Sequence, residues 1–194
     1  TGGTTGQPKG VMNTHRSAQT FCAHFLMGCP YGANEKPVNL AAAPMTHTAG
    51  LLSIPCTARG GTVVVVTKPD PALMLAAIPK HRVTEVFLPP TVIYRLLEIP
   101  DLGRKVDFSS LRYFMYGAAP MSVEKLKQAI SVIGPVMMGG YGQTEAPASI
   151  AYLPPDAHFD GDRLAPDERL SSVGRPNPLI RVEIMNDANE ILPQ

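Results

Sequence analysis

The sequence begins with TGGTTGQPKG, a run of glycine and hydroxyl residues that closes on a proline and a lysine. Such a composition can hold an anion. Gly2, Gly3 and Gly6 let backbone N–H groups converge without Cβ obstruction. Thr1, Thr4 and Thr5 add hydroxyl donors, and Lys9 adds a mobile positive charge. Pro8 restricts the chain just before that lysine. Two phosphate-loop templates are not met. GxxxxGK[ST] fails because Gln7 and Pro8 occupy its later positions, and GxGxxG fails because the glycines are adjacent and no helix follows at once. On residue types alone, a phosphate cradle and an ordinary flexible turn both stay open.

Three further stretches carry side chains able to do chemistry: PMTHTAG (44–50), YGAAP (116–120) and GGYGQTE (139–145). Each has a plain structural alternative. His47 can be a surface or capping histidine, Tyr141 a half-buried aromatic at a strand end, and Glu145 a carboxylate favoured by a helix dipole. His15, His24, His81 and His158 show no ligand spacing and read as structural. Cys22, Cys29 and Cys56 are odd in number and form no CxxC pair, so they read as reduced, small hydrophobic residues. No Ser-His-Asp or Cys-His constellation is present.

The elements that must position these stretches alternate. Helical patterns cover 15–28, 48–59 (interrupted by Pro55), 71–81, 90–99 and 122–133; strand patterns cover 38–44, 63–66, 83–89, 111–117 and the start of 135–142. Ser122 is a suitable N-cap, and Leu126, Ile130 and Ile133 share one helical face. Alternation of this kind predicts an α/β fold with a mostly parallel sheet flanked by helices. Ligands in such sheets bind outside the carboxyl ends of the strands. The three polar stretches all follow predicted strands and are expected to face one cleft. Residues 153–170 are polar and proline-rich and read as a long loop; 171–194 read as short strands with a turn at NDANE.

The chain has 194 residues, 44% of them hydrophobic and 17% charged, which suits one domain, or a large piece of one, with a real core. A net charge of +1 gives no electrostatic reason to expect nucleic acid or an anionic membrane as partner. No run approaches the ~18 apolar residues of a membrane span, and no signal peptide pattern opens the sequence, so a cytoplasmic location is expected.

TGGTTGQPKGV resembles the signature loop of the adenylate-forming superfamily, which includes acyl-CoA synthetases, luciferases and peptide-synthetase adenylation domains; its usual form is T-S-G-T-T-G-x-P-K-G-V. YGAAPMS (116–122) is similar to the family's adenine-binding turn, GGYGQTEAP (139–147) to its Y-G-x-T-E motif, and VGRP (173–176) recurs soon after that motif. The motifs stand in family order from residue 1 to about 190.

The resemblance implies roles. Thr1, Gly2, Gly3, Thr4, Thr5, Gly6 and Lys9 would contact the β- and γ-phosphates of ATP; Gly2 stands where the family has Ser, so one hydroxyl donor is lost while its N–H remains. Gly117, Ala118, Ala119, Tyr141 and Gly142 would line the nucleotide, with Tyr141 packed on the adenine. Thr144 would approach the α-phosphate and Glu145 would hold Mg²⁺, so that Thr144, Glu145 and Lys9 form the catalytic set. His47 and Gly140 would border the acid's pocket.

The implied activity is that of a ligase. A carboxylate attacks ATP to give acyl-AMP and pyrophosphate, and the thiol of coenzyme A then displaces AMP. No general base is needed, because a carboxylic acid of pKa about 4 is already ionised at neutral pH. An amino-acid adenylation domain and a non-catalytic nucleotide-binding module are the alternatives. The expected organisation is a nucleotide-binding α/β subdomain over 1–160 and, over 161–194, a loop and the start of a β-rich subdomain. Whole family members also have a large preceding segment and, later, an Asp for the ribose, a hinge and a small domain with a catalytic lysine. The chain reads as a central fragment lacking these, and is expected not to form acyl-AMP at a useful rate alone.

Overall fold

The computed structural model describes residue 7, residues 9–68 and residues 70–193, apart from the side chains of 147–149. Helix α1 (His15–Gly28) starts at a reciprocal cap: Ser17 N–H donates to Thr14 Oγ1 and Thr14 N–H to Ser17 Oγ. Then come β1 (Val38–Ala41), α2 (Thr48–Ala58) and β2 (Thr62–Val65). Helix α3 (Pro71–His81) opens on Asp70, whose carboxylate accepts from the N–H groups of Ala72 and Leu73. Beyond it lie β3 (Glu85–Leu88), α4 (Pro90–Leu97), the short α5 (Leu102–Lys105), β4 (Tyr113–Gly117), α6 (Val123–Ile133), β5 (Met137–Gln143) and β6 (Ala146–Leu153).

Seven strands form one sheet in the order β2-β1-β3-β4-β5-β6, with β9 (Arg175–Pro176) at the far edge. The strands from β2 to β5 pair in parallel, and β6 and β9 join antiparallel. The parallel pairs need helical crossovers, whereas β5 and β6 need only a tight turn. Pleating divides the core into two layers. Phe114 and Tyr116 face Leu96, Leu126 and Met137 on the side of α3, α4 and α6. Tyr113 and Met115 face Phe21, Phe25, Leu52 and Met138 on the side of α1 and α2.

Two sequence expectations need correction, and two features add to the others. Pro55 does not interrupt its helix: α2 runs through it, with Ala49, Leu52, Pro55 and Cys56 buried. Burial of that face outweighs the one missing backbone hydrogen bond. Ser122 sits at the N-cap of α6 without a side-chain cap bond; its N–H donates instead to Tyr94 Oη. The strand pattern after residue 145 was not anticipated, and β6 supplies a full partner for β5. Residues 153–170 are not one irregular loop: they hold a 3-10 turn (Pro155–His158), β7 (Phe159–Asp160), β8 (Arg163–Leu164) and α7 (Asp167–Leu170), with Ala165 and Leu170 buried in the core. Elements this short lack a readable period. The turn expected at NDANE is present, bounded by a bridge between Met185 and Ile191.

At the end of the sheet away from the carboxyl termini of the strands, Glu85 is buried with 1% of its surface exposed. Tyr31 Oη donates to its Oε2 at 3.1 Å and Asn39 Nδ2 to its Oε1 at 3.2 Å. Removal from water dominates these bonds and raises its pKa. The folded state therefore binds this proton more readily than the unfolded chain. The contribution to stability is complete below the unfolded carboxylate pKa of about 4 and is lost as pH rises through the folded value. In urea titrations from about pH 4 to about pH 8, Glu85→Gln should remove that loss from the midpoint profile. Parallel profiles for variant and parent would contradict this account.

Candidate functional site

The cleft follows from a change of residue type along two adjoining strands. On the face toward α1, β4 presents Tyr113, Met115 and then Gly117, and β5 presents Met138, Gly140 and then Gly142. Large side chains give way to bare backbone toward the carboxyl ends. The space left beneath α1 and α2 measures about 490 Å³, within the range of small-molecule sites. Gly117 is required at this crossing, because a Cβ there would run into the Gly140 carbonyl oxygen.

The mouth is polar, with Asn13 and Ser17 at the start of α1, Thr46 and His47 before α2, and Gln143 and Thr144 after β5. The inner part is apolar, with Phe25, Leu52, Phe87, Met115, Met138 and Tyr152. The described residues of its wall include no Asp, Glu, Lys or Arg.

The structure brings His47, Ala118, Gly140, Gly142 and Thr144 together in that wall. His47 precedes the first turn of α2, and its Nδ1 lies 2.8 Å from Thr48 Oγ1. Ala118 has φ of 64°, a left-handed conformation that a residue with a Cβ adopts at a cost of ~1–2 kcal/mol. Thr144 and Glu145 are exposed and form the two-residue turn between β5 and β6. The alternative of a helix-start carboxylate for Glu145 is thereby corrected: a hairpin turn, not a helix, carries it. Tyr141 lies on the opposite pleat from Gly140 and Gly142, 44% exposed and outside the cleft wall. The pairing of Gly117 with Gly140 brings Ala118 and Tyr141 to the same end of adjoining strands. Ala119 is exposed beside Ala118. Lys9 is exposed, shortly before Asn13. Thr1, Gly2, Gly3, Thr4, Thr5 and Gly6 lie outside the described residues.

Asn13, Ser17, Phe25 and Tyr152 were not singled out by any sequence motif. Asn13 Nδ2 donates to the Thr144 carbonyl oxygen at 3.3 Å, which ties the segment after Lys9 to the β5–β6 turn. The nearest sequence signal was the strand-like run SIAYL after the YGQTE stretch, which places Tyr152 next to β5.

His158 is fully buried and has its pKa lowered, chiefly by burial. Its Nδ1 donates to the Pro154 carbonyl at 2.9 Å, so its Nε2 accepts from Tyr116 Oη at 3.0 Å. His24 is buried with neither ring nitrogen partnered. Burial pushes the Cys56 thiol up to about 11. Among the described residues no group of three or more His, Cys, Asp or Glu could hold a metal ion, and no helix is long and apolar enough to cross a membrane.

Comparison with known proteins gives a consistent picture. The model of the family described as AMP-binding enzyme matches residues 1–194. A medium/long-chain-fatty-acid–CoA ligase of Mycobacterium tuberculosis, FadD8, is 37% identical over 194 residues, which is 100% of this chain and 32% of that protein. A feruloyl-CoA synthase of an Amycolatopsis species is 32% identical over 195 residues, covering 100% of this chain and 37% of its own length. Among solved structures, the amide bond synthetase McbA of Marinactinospora thermotolerans superposes with a TM-score of 0.87 at 36% identity over 100% of this chain and 37% of its own. The o-succinylbenzoate coenzyme A synthetase of Bacillus subtilis, in complex with ATP and magnesium ion, superposes with a TM-score of 0.78 at 25% identity over 98% of this chain and 37% of its own. The chain thus spans about a third of the length of these relatives.

Proposed function

The chain belongs to the AMP-binding enzyme family, and from that premise we propose that it is the nucleotide- and acid-binding part of a longer acid–thiol ligase. In this reading residues 1–160 form the nucleotide-binding subdomain and 161–194 begin a β-rich one. The observation that carries it is the cleft itself. An apolar chamber, with no charged side chain among the described residues of its wall, opens onto His47 and Thr144, and the adjoining strand ends present Ala118 and Tyr141 beside it. An acid with an apolar body would fill the chamber with its carboxylate at the polar mouth. Adenine would stack on Tyr141 against Gly117, Ala118 and Ala119.

The reaction brings a carboxylate onto the α-phosphorus of ATP, so the protein must position two anions and offset their repulsion. Thr144 would donate its hydroxyl to the α-phosphate. Lys9 and the N–H groups of residues 1–6 would hold the outgoing pyrophosphate. Bound beside Glu145, Mg²⁺ would supply positive charge to the phosphates. The donor set fits that ion, which takes one or two carboxylates and completes its shell with water and phosphate oxygens. Coenzyme A then displaces AMP to give the thioester. We assign this chemistry to a cytoplasmic enzyme.

Among the described residues the cleft wall carries no carboxylate for a substrate ammonium, which argues against amino-acid activation. A second acceptor is worth separating, because one structural neighbour is an amide bond synthetase: an amine could replace the thiol. The test is pyrophosphate release by a protein of the relatives' full length that carries this chain. Release should depend on a carboxylic acid, and acyl-CoA should form when coenzyme A is added. Amide formation with amines and none with coenzyme A would favour the second acceptor, and no acid-dependent release would refute both.

A further inference from the structure

One aromatic ring of the cleft wall, Tyr152, lies against the end of α1. The wall follows α1 from Asn13 and Ser17 at the mouth to Phe25 inside, and Gly28 is the last residue of that helix. Tyr152 of β6 stands directly opposite Gly140 of β5. A Cβ on Gly28 would come within 2.8 Å of Tyr152 Cδ2 and 3.0 Å of Cε2, and 3.8 Å from Met138 Cε. On its other side the same ring lies 3.9 Å from the place a Gly140 Cβ would occupy. The ring is therefore wedged between the end of α1 and the bare backbone of β5, with Met138 beside it, and is 7% exposed.

Resting on the ligase reading above, we propose that Tyr152 is the specificity-determining residue that sets how long an acyl group the cleft accepts, with Gly28 as its positioning partner. Two glycines with different consequences flank the ring. Gly28 lets it lie flush against the helix. Gly140 places bare backbone, with no side chain, beside the ring in the cleft wall. Removing the ring extends the chamber toward the end of α1. Adding a methyl group at Gly28 pushes the ring away from α1, toward Gly140 and the chamber. The two substitutions act on one ring in opposite senses.

The experiment uses a full-length protein carrying this chain, and measures acid-dependent pyrophosphate release over a series of straight-chain acids from short to long. Tyr152→Ala should shift the optimum to longer acids and raise the long-to-short ratio of kcat/KM by about tenfold or more, as a change of a methylene or more in an apolar pocket does. Gly28→Ala should lower the same ratio by about tenfold. The KM for ATP should change far less than this ratio in both, because Tyr141 lies on the opposite pleat from the Tyr152 ring. If Gly28→Ala lowers the melting temperature sharply, Tyr152→Leu, which replaces the ring by a shorter aliphatic side chain without emptying the site, takes its place and should move the optimum in the direction of Tyr152→Ala. Length profiles that stay parallel to the parent's would overturn the assignment while leaving the ligase reading intact. Absence of release with every acid in the parent would instead remove the ligase reading, and the assignment with it.

Discussion

Glu145→Ala is expected to lower acid-dependent pyrophosphate release by about 100- to 1000-fold in a full-length protein, the usual cost of removing one preorganised charge-stabilising group. It should leave stability within about 0.5 kcal/mol, because the residue is exposed in a two-residue turn and supports nothing in the core. The proposed step that releases pyrophosphate has no proton to remove and no covalent enzyme intermediate to form. Its barrier is mainly the repulsion between two anions, so a group that brings positive charge to the phosphates carries an unusual share of the rate. Glu145→Gln separates charge from shape. It retains size and hydrogen bonding but loses the formal charge, so it should fall nearly as far, with a higher Mg²⁺ concentration needed for half-maximal rate. Activity within a few-fold of the parent for both variants would remove Glu145 from the metal role.

Phe114→Ala should destabilise the fold by about 3–5 kcal/mol, read as a lower midpoint in urea or guanidinium. Phe114 has 0% exposure and sits on β4, hydrogen-bonded between β3 and β5 at the middle of the sheet. Its side chain faces α4 and α6, away from the cleft. The loss combines the transfer of a large apolar group with a cavity that strands held on both sides cannot close. A cost under about 1 kcal/mol would mean that the surrounding helices collapse onto the space. This change should largely spare the shape of the cleft, most of whose strand side chains belong to the opposite pleat face.

Much of the architecture was legible because long elements carry a period. α1, α3 and α6 lie within a residue of their expected bounds, since apolar residues recurred at helical spacing. The parallel sheet followed from strict alternation of strand and helix. The convergence of PMTHTAG, YGAAP and GGYGQTE on one cleft followed from the strand-end rule. What failed was local and tertiary. Asp156, Asp160 and Asp167 make 153–170 look like solvent-filled loop, yet His158, Ala165 and Leu170 anchor it to the core. Pro55 looked like a break because a propensity ignores what the helix packs on. Tyr152 was invisible as a site residue because its role depends on Gly28 and Gly140, which are remote in sequence and carry no side chains to suggest a contact.

The division of the core into two layers has a consequence for local opening. The layer under α3, α4 and α6 is the larger, and β4 is closed within the sheet. The layer under α1 and α2 is smaller and is interrupted by the cleft. Amide hydrogens of α1 should therefore exchange through partial openings at lower free energy than those of β4 and α6. A ligand seated in the cleft binds only the closed form, so it should slow exchange in α1 and α2 by mass action while barely affecting the other face. Occupancy would then be visible as protection confined to one side of the sheet.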